Sequence, residues 1–183
     1  MKRLIGIKDV EEATGGFKRP EAGGYVCIIT DVEDFPEKEY LSIEYDIAEG
    51  EFRNYYKELD EKRGFWGARF IKSYKDSALP FFKSFCTAVT ESNNKFIFDG
   101  DEYCDEKTLF NKRIGLVLGE EEYQKQDGSL STRLYVAQTL SVDRIRKGDY
   151  KVPELKRLKE SENDGGSYMS MPTDDPMDEL PFA

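Results

Sequence analysis

Between Phe52 and Lys75 the chain interleaves rings with cations. Arg53, Tyr55, Tyr56, Lys57, Arg63, Phe65, Trp66, Arg69, Phe70, Lys72 and Tyr74 all fall in this stretch. A single nucleic-acid strand asks for this mixture. Bases stack on aromatic faces, at about 1–3 kcal/mol each, while ammonium and guanidinium groups follow the phosphates. In ARFIKSY, alternation puts Arg69, Ile71 and Ser73 on one face and Phe70, Lys72 and Tyr74 on the other. Tyr55 and Tyr56 point opposite ways if they share a strand, so one is expected in the core and one outside. A smaller patch, Arg133 and Tyr135 with Lys112 and Arg113, belongs to a later hairpin. A basic run follows it: Arg144, Arg146, Lys147, Lys151, Lys156 and Arg157.

Catalytic chemistry finds less material. The chain has no histidine, which removes the commonest general base and the Ser-His and Cys-His triads. Cys27, Cys86 and Cys104 are widely spaced, without the close pairs of a zinc site or a disulfide scaffold. Glu44, Asp46, Glu49, Glu51 and Glu120 to Glu122 offer carboxylates for a divalent ion. With 37 acids in 183 residues such clusters arise by chance, and Glu44 and Asp46 fall on the expected solvated face of a strand. Gly15-Gly16 and Gly23-Gly24 do not build a phosphate loop. No catalytic residue, cofactor or metal is therefore expected. The reading is a binding protein rather than an enzyme.

The net charge of −10 is uneven. Residues 161–183 hold six of the 37 acids and no Lys or Arg, so the first 160 residues carry 27 bases against 31 acids. The body is nearly balanced and the acidic end is a separate object. Its last ten residues, DDPMDELPFA, combine Asp174, Asp175, Asp178 and Glu179 with an apolar Leu180-Pro181-Phe182. An apolar triplet at the end of a polar tract suits docking on a partner, with charge guiding the encounter.

The elements that must position these residues follow from pattern. YVCIITDVED reads as a strand, and YLSIEYDIAEG alternates Leu41, Ile43, Tyr45 and Ile47 against Ser42, Glu44 and Asp46. EFRNYYKE reads as a third strand, KELDEKRGFW as a charged loop, and residues 68–74 as a fourth strand. DSALPFFKSFCTAVTESN changes to a helical period, with Pro80 in its first turn. KRIGLVLGEEEY and LSTRLYVAQTLSV form a hairpin around Asp127-Gly128. VDRIRKGDYKVPELKRLK is read as mostly irregular. No apolar run is long enough to span a membrane, and the first residues do not read as a signal peptide.

Two likenesses bear on these residues. GGYVCIITDVED, YLSIEYDIAEGEFRNYY, DSALPFFKSFCTAVTESN, KRIGLVLGEEEY and VDRIRKGDYKVPE resemble a phage-encoded family long described as a domain of unknown function and thought to bind single-stranded DNA. The likeness covers about residues 20–155. The C-terminal ten residues resemble the tip of bacterial single-stranded DNA-binding proteins, an acidic stretch before Ile-Pro-Phe or Leu-Pro-Phe. The resemblance implies that Asp174, Asp175, Asp178, Glu179, Leu180, Pro181 and Phe182 contact partner proteins. Ala183 departs from it by separating Phe182 from the terminal carboxylate.

The expected architecture is mainly β with one central helix: a small barrel like the oligonucleotide/oligosaccharide-binding fold, plus a disordered acidic tail. Its divisions are an arm or short helix over 1–19, the barrel over 20–158 and the tail over 159–183. The expected role is single-stranded DNA binding and protection in phage replication or recombination. Replication or recombination proteins would be recruited through the tail, in the bacterial cytoplasm and away from membranes. A recombination mediator with weak DNA contact is the alternative, and a magnesium-dependent nuclease the more distant one. Monomers and homo-oligomers both fit.

Overall fold

A computed structural model describes residues 18–64, 66–101 and 104–158. Residues 1–17 of the arm expected over 1–19, and the acidic tail from residue 159 onward, lie outside them. The order is β1 (Gly23–Phe35), β2 (Tyr40–Ile47), α1 (Tyr55–Arg63), β3 (Arg69–Ser73), α2 (Leu79–Ser92), β4 (Arg113–Gln124), β5 (Leu130–Leu140) and α3 (Val142–Lys147). The five strands make one antiparallel sheet in the order β3-β2-β1-β4-β5.

This corrects the expected barrel. The sheet is open, with β3 and β5 as its two edges, and three separate helices are described rather than one. The miscount came from two segments. EFRNYYKE turns at Asn54, whose φ is 60°, and continues as α1, where a third strand was expected. VDRIRK is a six-residue helix that ends at Gly148.

The first face of the sheet holds the main core. Tyr25, Cys27 and Ile29 of β1 point there with Leu41, Ile43, Tyr45 and Ile47 of β2 and Ile114, Leu116 and Leu118 of β4. A bulge between Ile29 and Asp31 resets the alternation, so Val32 returns to the same face. α2 covers this face with Phe85, Cys86, Ala88 and Val89, the last two and Phe85 at the period its sequence implies. Pro80 does sit in the first turn of α2, behind a short 3-10 turn at Asp76–Ala78. Phe81 points outward, 72% exposed.

Much of this core is aromatic, and the rings touch in series. Ring contacts, edge-to-face except for the tilted Tyr45–Phe70 pair, run from Tyr25 to Phe52, Tyr55, Tyr56 and Tyr45, and onward through Phe70 to Phe85 and Phe98, with centroids 5.1–6.4 Å apart.

The second face carries Val26 and Val117, covered by Val142 and Ile145 of α3. A Cβ on Gly115 would lie 2.4 Å from Ile145 Cγ1 and 2.9 Å from the carbonyl oxygens of Leu140 and Ser141. The bare backbone there is what lets α3 lie flat on β4.

Asp46 is also on this second face, and it is not solvated as expected. It is 3% exposed. Its carboxylate accepts from the backbone N–H groups of Ile47 (2.8 Å), Tyr56 (3.0 Å) and Lys57 (3.2 Å). Asn54, at the helix start, gives no side-chain cap. Asp46 supplies one from β2 and satisfies N–H groups that the first turn leaves open. Burial raises its pKa, and the three N–H bonds work against that rise.

Two stability predictions follow from these contacts. Asp46→Ala is expected to cost about 1–2 kcal/mol, the range for losing a helix cap, and Asp46→Asn less, read from urea unfolding. Gly115→Ala is expected to destabilise by about 1–3 kcal/mol through overpacking against Ile145, with a lower thermal midpoint as the check.

Candidate nucleic-acid interface

The ring-and-cation stretch from Phe52 to Lys75 does not form one groove. Tyr56 and Phe70 are buried, each 8% exposed, as links in the ring series. Tyr55, Trp66 and Tyr74 pack against the same core. The Trp66 indole Nε1 donates to the Ala68 carbonyl at 3.2 Å, which fixes the ring beside the start of β3. The Tyr74 hydroxyl donates to Asp34 Oδ1 at 2.8 Å. Desolvation and the Asp34 carboxylate push the Tyr74 pKa up to about 12.

The cations of the stretch separate as well. Arg53 lies exposed in the turn before α1, and Lys57 is exposed on the helix itself. Arg69 pairs with Glu44 across β2 and β3, on the second face. Lys72 lies on the first face, its ammonium 5.9 Å from the Phe70 ring, and burial lowers its pKa. Arg63 ends α1, and Phe65 lies outside the described residues. Arg53, Lys57, Arg69 and Lys72 therefore share no single surface.

The hairpin of β4 and β5 keeps Arg133 and Tyr135 on one face, opposite Glu121 and Gly119, but Lys112 and Arg113 sit at the far start of β4 and do not join them. β4 pairs with β1 only through Leu118, and its later residues continue with β5 as a two-stranded ribbon. On the second face of that ribbon Tyr123, Arg133 and Tyr135 stand near one another. The Arg133 guanidinium is 5.6 Å from the Tyr123 ring centroid, and the Lys156 ammonium is 3.7 Å from that of Tyr135. Lys156 reaches its place because residues near it pair with the other edge of β4. Its N–H donates to Glu120 O at 3.0 Å, and its carbonyl accepts from Glu122 N at 2.8 Å. Gly119 leaves room for this segment, since a Cβ there would lie 2.7 Å from Pro153 and 2.8 Å from the Tyr135 ring.

The three glutamates of the ribbon are engaged internally. Glu120 faces Arg19 at 3.4 Å, Glu121 accepts from Arg133 Nε at 2.8 Å, and Glu122 accepts from the Leu158 N–H at 3.1 Å. Lys125, Lys151 and Arg157 are exposed nearby in the chain. Other cations of the basic run are tied down. Arg144 folds back on Asp149 at 2.8 Å, while Arg146 and Arg113 hold Glu49 between them at 2.6 and 2.7 Å. The hydrogen bond from Arg146 and the two positive charges lower the Glu49 pKa. Lys112 stands 4.3 Å from the centroid of the Phe96 ring.

Sequence reasoning grouped Arg133 with Tyr135 but did not bring Lys156 to them, and it missed Tyr123. The available signal was the run of odd positions from Gly115 to Tyr123, which places Tyr123 on the face of Glu121. Cys27 and Cys86 are buried free thiols, and burial pushes Cys86 up to about 11. Among the described residues no three acidic or cysteine side chains gather as a metal site, and no helix is long and apolar enough to cross a membrane. One depression, of about 470 Å³, is shallow and polar, bounded by Lys18, Arg19, Glu21, Ala22 and Glu120. The partner-contact residues Asp174, Asp175, Asp178, Glu179, Leu180, Pro181 and Phe182 lie outside the described residues. The chain matches no family model and no curated protein.

The ring contacts predict a division of effects. Tyr56→Ala should lower stability by about 3–5 kcal/mol, as for other large aromatic truncations in a core, whereas Tyr123→Ala should stay within about 0.5 kcal/mol of the parent, as surface changes do. Chemical denaturation of both variants checks this.

Proposed function

We propose that the chain binds single-stranded DNA without catalysing a reaction, through the ribbon face of β4 and β5. The acidic C-terminal residues then recruit replication or recombination proteins. The observation that carries the DNA reading is the alternation of ring and cation on that face: Tyr123 with Arg133, and Tyr135 with Lys156. A base entering beside either ring gains a stacking surface, and the cation already above the ring is placed for the adjoining phosphate. Internal pairing of Glu120, Glu121 and Glu122 lowers the repulsion that a phosphate backbone would otherwise meet.

The last described residue, Leu158, is hydrogen-bonded to the ribbon. The resemblance of the body to the phage family, and of the Leu180-Pro181-Phe182 ending to bacterial single-stranded DNA-binding tips, supports the division of labour.

Titration of labelled single strands and matched duplexes, followed by anisotropy, tests this reading. Single strands should bind more tightly, and affinity should fall as salt rises through counterion release. Tyr123→Ala and Tyr135→Ala should each cost about 1–3 kcal/mol of binding. Lys156→Ala should reduce the salt slope by about one. Unchanged affinity in folded variants would remove the ribbon from the DNA site. Deleting Leu180 to Ala183 should leave DNA affinity intact and abolish capture of partner proteins.

A further inference from the structure

β5 is a long edge strand, and the chain's own contacts reveal which of its backbone groups face outward. The Glu122 N–H and the Glu120 carbonyl both bond to Lys156, on the side of β4 away from β5. The N–H and C=O of one strand residue point to the same side. Glu122 lies opposite Thr132 and Glu120 opposite Leu134, so the backbones of Thr132 and Leu134 turn away from β4. Alternation adds Leu130 and Val136. The bulge that sets Val136 opposite Leu118 but Gln138 opposite Val117 ends the run. Among the described residues only Arg19 reaches this edge, its Nη1 donating to the Thr132 carbonyl at 3.2 Å.

The two edges of the sheet differ. β3 has five residues and carries Arg69 and Lys72, which discourage pairing. β5 has 11 residues, no proline and one charged side chain, Arg133, already paired with Glu121. Leu130, at its start, is 62% exposed. These features leave an edge ready to accept another strand.

We propose that β5 pairs antiparallel with β5 of a second copy of this chain, joining two five-stranded sheets edge to edge. A twofold axis matches the edge to itself, since each outward N–H and C=O meets its counterpart. With Leu134 on the axis, Thr132 pairs with Val136 of the other copy, and Arg133 stands opposite Tyr135 rather than its own like charge. The axis runs perpendicular to the sheet, so both ribbon faces lie on the same side. The pairing itself does not depend on the DNA reading.

Sedimentation of the full chain without DNA tests the pairing. The expected mass is twice the 21.1 kDa of one chain, falling to one chain on dilution. Leu134→Pro removes an outward N–H and no bond to β4, and should give the single-chain mass with an unchanged circular dichroism spectrum. Thr132→Pro serves if that variant does not fold. Hydrogen exchange on the parent protein provides a reading independent of both: the N–H groups of Leu130, Thr132, Leu134 and Val136 should exchange slowly when concentrated and quickly when diluted. A single-chain mass at every concentration overturns the proposal. So does a dimer that survives proline substitution in a folded variant, or edge protection that ignores dilution, which would mean that the chain covers its own edge.

Discussion

β1 is paired on both sides and carries apolar residues on both faces, so both faces of the sheet must be covered where it runs. Cys27 and Ile29 require α2, and Val26 requires α3. Each uncovered apolar side chain of this size would forgo roughly 1.5–3 kcal/mol of burial. The rest of the architecture answers that demand. α2 is long and apolar enough to cover the broad face, while α3, only six residues long, succeeds because Gly115 lets it approach the backbone. An open sheet covered on both sides has no need to close into a barrel.

Strands with a clear apolar pattern were legible in the sequence, although burial along them does not simply alternate. β2, β4 and β5 lie where the pattern puts them, and so does α2 with Pro80 in its first turn. α1 was not legible, because its sequence YYKELDEKR is largely charged and offers no continuous apolar stripe. It rests on a capping carboxylate ten positions before Tyr56 in the sequence, in another element. A residue that caps a distant helix looks, in sequence, like any acid on the polar face of a strand. Asp46 was misread for that reason. α3 was hidden by its length and by its basic residues, only Val142 and Ile145 being buried.

The aromatic residues show the limit of reading a binding site from composition. A ring placed to stack on a base and a ring placed to stack on another ring have the same sequence signature. What separates them is whether neighbouring rings already occupy their faces and edges. Between Phe52 and Tyr74 they do: Tyr55 meets Phe52 and Tyr56, Phe70 meets Tyr45 and Phe85, and Tyr74 meets Phe82. The cations among them are then left on different faces, because strand alternation and the turn into α1 separate them.

On the ribbon the opposite holds, and the cause is again geometric. Beyond Leu118 β4 has lost β1, and no helix is long enough to follow it outward. Tyr123 and Tyr135 consequently meet cations rather than other rings. Such contacts are weaker than aromatic packing in a core, at about 0.5–1 kcal/mol when exposed. In the proposed reading they are exchanged for a base and a phosphate, at little cost to the fold. A ring in the main core has no such freedom, since moving it would open a cavity. The proposed binding surface thus lies where rings are held by cations rather than by other rings, and Leu158 is anchored to the same ribbon at Glu122.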